Sequence, residues 1–356
     1  MCLLKVQTGF RILRADDLHD ANQWLQLWKA WPKREPFAHP AYVQAFCEGD
    51  QEAVCAVQSS DRGTILLPLI LRHLPDHLAV SDGELRDATT PYGYGGAFYF
   101  GEVDAEGFWN DFDAWATQSK IVSLFARLSL FPDSIVPFRG ESRYVMDNIV
   151  RSCDLDEESM WMDYEQKVRK NVNKSTRSEV TVEWDPAGSR LKDFQGIYAS
   201  TMLRREAASG FFFPDGFFEH LLSKCPECLT FAHALKAGRV ISTELVLLGA
   251  DCAYSFLGGT DENSFDLRPN DLLKHEIIRW CREHQKRFFV LGGGLAPDDG
   301  LLRYKSSFAP KDGRRPFSVG QRIYDEVANE SLLSLRRAIS PLWEPSPAYF
   351  PAYRSP

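Results

Sequence analysis

The sequence predicts an α/β chain with mixed sheets, organised as two tandem units with a cleft between them. Three observations carry this expectation. At 356 residues the chain is long enough for two ordinary domains. Its second half reads helix, helix, three strands joined by tight turns, helix, strand. Its first half repeats that order in a weaker form.

In the second half, Lys192 to Arg205 places Phe194, Ile197, Tyr198 and Met202 at helical spacing. Phe213-Pro214-Asp215 opens a second helix with Phe217, Phe218, Leu221 and Leu222 on its apolar face. Strands follow at Thr230 to Leu235, Val240 to Leu248 and Ala253 to Leu257, parted by Lys236-Ala-Gly-Arg239 and Gly249-Ala-Asp251. Asn270 or Asp271 caps a helix to about Gln285, and Phe288 to Leu291 is the closing buried strand.

In the first half, helical patterns at Ala21 to Trp31 and His39 to Phe46 precede strands at Ala53 to Gln58 and Thr64 to Leu71. Pro68 marks the latter as an edge or a bulge. Asp104 caps a helix with Phe108, Phe112 and Trp115 inward, and Ile121 to Leu130 is the last strand. The expected division is 1–155, 156–320 and a tail, 321–356, that packs back on the domains. A cleft between duplicated units is where a ligand is expected.

No run approaches the roughly 18 apolar residues of a membrane span, and no signal peptide is recognisable, so a cytoplasmic address is expected. Eight scattered cysteines, Cys2 among them, read as free thiols. Cys225-Pro-Glu-Cys228 lacks the second pair that a zinc site needs, so no metal is expected. The net charge of -8 disfavours non-specific nucleic-acid coating while leaving room for a local basic patch. No Gly-x-Ser-x-Gly elbow or His-Glu-x-x-His metal motif supports a hydrolase.

Three segments stand out. Thr90-Pro-Tyr-Gly-Tyr-Gly-Gly96 combines free backbone with Tyr92 and Tyr94. With Gly95 and Gly96, that suits stacking on a base, sugar or acyl group, or equally a glycine-rich hairpin with structural tyrosines. The helix Lys167 to Arg177 lines up Lys167, Lys170, Lys174 and Arg177 at i, i+3, i+7 and i+10, with Arg169 and Asn173 a pair four apart. Such a stripe is either a solvated face or a site for a nucleotide diphosphate or tRNA end. The third segment runs from Leu291-Gly-Gly-Gly-Leu to Leu302-Arg-Tyr-Lys-Ser-Ser-Phe308. Gly293 and Gly294 allow close approach of backbone to a ligand, or form a flexible strand exit. Tyr254 faces the cleft if Phe256, its alternation partner, does.

Together the three segments resemble the Fem-type acyltransferases, and the element order matches the core of the GNAT acetyltransferase fold. The resemblance implies two GNAT-like domains and transfer of an aminoacyl group from aminoacyl-tRNA. It matches Tyr304-Lys305 to the family's Phe/Tyr-Lys motif, whose lysine stabilises charge developing during transfer. From position alone, Lys305 is equally a surface lysine. The expected partners are a small acceptor, nucleotide- or phosphate-bearing, and the aminoacyl-tRNA acceptor end, with no resident cofactor. Acyl-CoA is the alternative donor, disfavoured because Asp266-Leu-Arg-Pro-Asn-Asp-Leu272 has no glycine to cradle a pyrophosphate. A non-catalytic binding scaffold is the other alternative.

Overall fold

A computed structural model describes residues 8–78, 85–214, 216–346 and 349–355. Cys2 and Asp215 lie outside them. In chain order the first elements are β1 (Gly9–Arg14), α1 (Leu18–Ala30), α2 (Pro40–Ala45), β2 (Glu52–Ser59), β3 (Gly63–His73), β4 (Arg86–Thr89), β5 (Phe98–Gly101), α3 (Ala105–Gln118) and β6 (Ile121–Arg127). There follow β7 (Glu141–Ser152), α4 (Glu157–Asp163), α5 (Gln166–Arg177), β8 (Thr181–Asp185), α6 (Leu191–Arg204) and α7 (Phe217–Lys224). The remainder comprises β9 (Leu229–Lys236), β10 (Arg239–Leu248), β11 (Cys252–Thr260), α8 (Pro269–Glu283), β12 (Phe288–Gly292), α9 (Gly300–Ser306), β13 (Arg314–Ile323) and α10 (Glu326–Ile339).

Two compact units result. The first holds residues 1–32, 37–145 and 317–356, the second 33–36 and 146–316. The division therefore falls inside β7 rather than at the polar stretch near residue 155, and the last segment is part of the first unit. Polarity marks exposed chain, whereas a strand shared in sequence by two units carries no composition change.

In the first unit β1, β2, β3 and β4 pair antiparallel in that order, β4 pairs parallel with β6, and β6 pairs antiparallel with β13. Asp104 caps α3 as expected, accepting from the Gly107 N–H at 2.9 Å. Phe108, Trp109, Phe112 and Ala116 then pack on Val54, Ile65, Leu67 and Leu124. Pro68 sits in an interior strand, not at an edge. β3 meets β5 through residues 63–66 and β4 through residues 70–73, so among the described residues 67–69 have no strand partner on that side, and a residue without an N–H fits there. The tail is tied down through Tyr353, fully buried, whose hydroxyl donates to Asp87 at 3.3 Å, and through the ion pair of Arg354 with the same carboxylate.

The second unit follows the sequence order closely. β8, β9, β10 and β11 are antiparallel neighbours, β11 is parallel to β12, and β12 is antiparallel to the end of β7. Helix α8 covers one face with Leu273, Ile277, Ile278 and Cys281, packed with Ala232, Val246, Ala253 and Phe289. Its start differs from expectation. Arg268, in the left-handed region at φ 58°, precedes it, Pro269 is its first residue, and Asn270 and Asp271 lie in the first turn.

Candidate functional site

Within the second unit, β11 and β12 share a ladder only over Cys252–Tyr254 and Phe288–Val290. Phe256 is an extra residue on β11, between the pairs Leu245–Leu257 and Val246–Ser255, and such a bulge bends its strand. Beyond that point the parallel strands no longer pair. β12 ends at Gly292 with φ 83°, and the chain turns through Gly293 and Gly294 into α9. Asp299 caps α9, its carboxylate accepting from Leu302 N–H at 2.7 Å and Leu295 N–H at 2.8 Å.

Helix α9 carries Tyr304 and Lys305. Lys305 is half-buried, and its Nζ donates to the Gly293 carbonyl at 2.7 Å. Burial pulls its ammonium down to about 8; nearby Lys274 pushes the same way, while Glu244 and Asp299 oppose. Lys274 (α8) and Glu244 (β10) form an ion pair, 6% and 2% exposed, and Lys274 also donates to Ser255 Oγ at 2.7 Å. The Tyr304 hydroxyl accepts from Asn270 Nδ2 at 2.8 Å. Asp271, nearly buried, accepts from Asn171 at 3.1 Å; burial raises its carboxyl, against Asn171, Arg268 and Lys167. A cavity of about 410 Å³ opens beside these groups, lined by Lys167, Asn171, Asp271, Arg303, Tyr304 and Arg314 among others.

The expected site residues fall in several places. Lys305, Tyr304, Gly293, Gly294 and Lys167 gather around the end of β12 and α9. Side chains of their own unit crowd both glycines. A Cβ on Gly293 would stand 2.7 Å from Met146 Sδ, and one on Gly294 would stand 2.4 Å from Asp299 Oδ1. Lys170 is exposed on α5, as are Lys174 and Arg177, and among the described residues none of the three has an ion-pair partner. Arg169 turns away, donating to the carbonyls of Met162 (3.0 Å) and Tyr164 at the end of α4. Asn173 lines a different cavity, about 510 Å³, with Trp161, His275 and Glu276. Tyr254 is a correction. It is 4% exposed, and its hydroxyl donates to Glu35 at 2.8 Å instead of facing open space.

In the first unit, the segment 90–96 is a packed turn. Gly93 (φ 116°) and Gly96 (φ 112°) are left-handed, and a Cβ on Gly93 would strike the Phe37 ring at 2.3 Å. Gly95 N–H donates to the Arg127 carbonyl at 2.8 Å. Tyr94 packs edge-on against Phe37 and Phe317, each at 5.6 Å, and burial raises its hydroxyl. Tyr92 is 41% exposed, with the Arg127 guanidinium 5.8 Å from its ring. Sequence reading missed Glu244, Lys274, Ser255 and Asp271. The available signal was a lysine three residues before Ile277 on an otherwise apolar helix face.

The stretch that holds the splayed strand pair, the glycine-rich exit and the long helix, residues 163–306, matches the family model of the acetyltransferase (GNAT) domain. The whole fold, more particularly, is similar to that of FemX. The chain superposes on FemX with a TM-score of 0.62 at 14% identity, covering 85% of this chain and 96% of that one. It is also similar to a conserved protein of unknown function from Bacteroides thetaiotaomicron VPI-5482 (TM-score 0.56, 11% identity, 89% and 100% covered). A third similar structure is the C-terminal domain of a putative lysylphosphatidylglycerol synthetase from Agrobacterium fabrum (TM-score 0.53, 13% identity, 90% and 96% covered). No curated protein matches the sequence. The second unit is thus similar to a GNAT domain over residues 163–306, and the fold as a whole is the one shared with these structures. Among the described residues no helix is long and apolar enough to cross a membrane.

Proposed function

We propose that the protein is an acyltransferase that forms an amide bond, with Lys305 as the group that stabilises the developing oxyanion. The observation that carries this is the Lys305 ammonium, half-buried and anchored to the Gly293 carbonyl where β11 and β12 part. An amine attacks an ester or thioester carbonyl, the C–N bond forms, and charge collects on the carbonyl oxygen. An already positioned cation in a dry site lowers that barrier, and one such donor is worth about 3–4 kcal/mol. The leaving oxygen or sulfur departs with a proton, and the attacking nitrogen loses one.

The donor we favour is aminoacyl-tRNA, and the acceptor a small nucleotide- or phosphate-bearing molecule. Two features support this choice. The α8 start suits a CoA pyrophosphate badly: Pro269 has no N–H, Asp271 N–H is spent on the Arg268 carbonyl at 3.2 Å, and the Asp271 carboxyl lies in the first turn. Helix α5 presents Lys170, Lys174 and Arg177, which among the described residues have no ion-pair partner, in a chain of net charge -8, an arrangement suited to a polyanion.

Purified protein incubated with labelled aminoacyl-tRNAs and, separately, labelled acyl-CoAs tests the choice. Transfer or tight binding with aminoacyl-tRNA alone is expected; transfer with acyl-CoA alone overturns the donor assignment.

A further inference from the structure

An ion pair in a protein core is at best break-even against apolar residues of similar size, so one that persists there calls for a reason. Glu244 and Lys274 are such a pair. Glu244 lies on β10, an interior strand flanked by β9 and β11, and Lys274 is on α8. Their third partner, Ser255, is the first residue of β11 past its ladder with β12. Oε1 of Glu244 is buried and has no hydrogen-bond partner among the described residues, and the other oxygen holds Lys274. Lys305 comes to the same strand end from α9: its Nζ is held on the carbonyl of Gly293, the residue after β12, whose parallel ladder with β11 stops one residue before Ser255.

We propose that Glu244 and Lys274 are positioning residues for Lys305: the pair fixes a positive charge next to the Lys305 ammonium and, through Glu244, limits how strongly that charge repels it. This rests on the assignment of Lys305 to oxyanion stabilisation. The charged groups facing Lys305 are Lys274 from α8, Glu244 from β10 and Asp299 from the cap of its own helix. Lys274 lowers the ammonium's affinity for its proton, and the two carboxylates raise it. Burial is the largest influence and lowers it too, and the balance is a cation still charged at neutral pH yet close to release. Such a group stabilises an oxyanion without binding a neutral carbonyl so tightly that the ground state gains equally.

The relation has a signature that a merely structural pair lacks: removing its two members must shift Lys305 in opposite directions. The measurement is competitive labelling of the full chain with acetic anhydride across an alkaline pH series. Mass spectrometry reads the midpoint at which Lys305 becomes reactive, and no substrate is needed. Lys274→Met is expected to raise the midpoint by about one pH unit, Glu244→Gln to lower it by about one, and Lys274→Arg to restore it. Midpoints that stay put, or move the same way in both variants, overturn the proposal. If a single charge deletion fails to fold, Glu244→Asp, which withdraws the carboxylate by one methylene, must still lower the midpoint, and no shift there overturns it equally. If the midpoints move as stated while Lys305→Met retains transfer, the functional assignment fails and the charge relation stands. The reverse pattern sinks only the charge relation.

Discussion

Lys305 Nζ and the Gly293 carbonyl oxygen lie 2.7 Å apart, which joins the second turn of a short helix to the strand exit before it. That bond holds the ammonium in a half-buried position where its ordinary affinity for a proton falls to about 8. Oxyanion stabilisation needs the charged form. Transfer is therefore expected to hold below that value and to fall as pH rises through about 8, read from a profile of kcat/KM against pH. A rate that climbs steadily through the same range contradicts the role.

A second titration affects stability. Burial lifts the Glu35 carboxyl to about 8, against the Tyr254 hydrogen bond, with Asp251 and Lys286 acting in opposite senses. Its folded value is raised, so the folded protein keeps a proton that the unfolded chain has released. Stability from this group is full below the ordinary carboxyl range and is lost as pH rises toward 8, an effect on the order of a few kcal/mol. Denaturant unfolding of Glu35→Gln should show a flatter dependence across that window than the natural protein.

The α5 cations should behave as phosphate contacts. Replacing Lys170, Lys174 and Arg177 by Gln, one at a time, is expected to leave stability within about 0.5 kcal/mol. Each change should reduce the slope of log affinity for tRNA against log salt by about one. Fluorescence anisotropy over a salt series measures it. An unchanged slope assigns the helix to a solvated face.

Gly93 gives a backbone prediction. Its φ of 116° and the Phe37 ring 2.3 Å from a built Cβ leave no room for a side chain. Gly93→Ala should cost about 1–3 kcal/mol, visible as a lowered melting temperature.

The run from β9 to β12 was legible because alternation, tight turns and a capped helix all pointed the same way; Ala237 and Gly238 take left-handed conformations at the turn read from Lys236 to Arg239. β4 was not legible. It is four residues long, and its buried Asp87 is met by Arg72 and, from the far end of the chain, by Tyr353 and Arg354. Lys305 was singled out through its motif, whereas the groups that surround it were not. Glu244 interrupts a buried strand and Lys274 a buried helix face, and periodicity scores each as a defect until the fold brings them together. Tyr254 was misplaced because its partner, Glu35, lies 219 positions away in the chain.

The most direct test of the central claim is single-turnover transfer by Lys305→Met alongside the natural protein, with aminoacyl-tRNA and acyl-CoA donors and circular dichroism to verify the fold. A loss of about 10²–10³ in rate with the fold intact is predicted. A folded Lys305→Met protein that transfers at the natural rate contradicts the assignment.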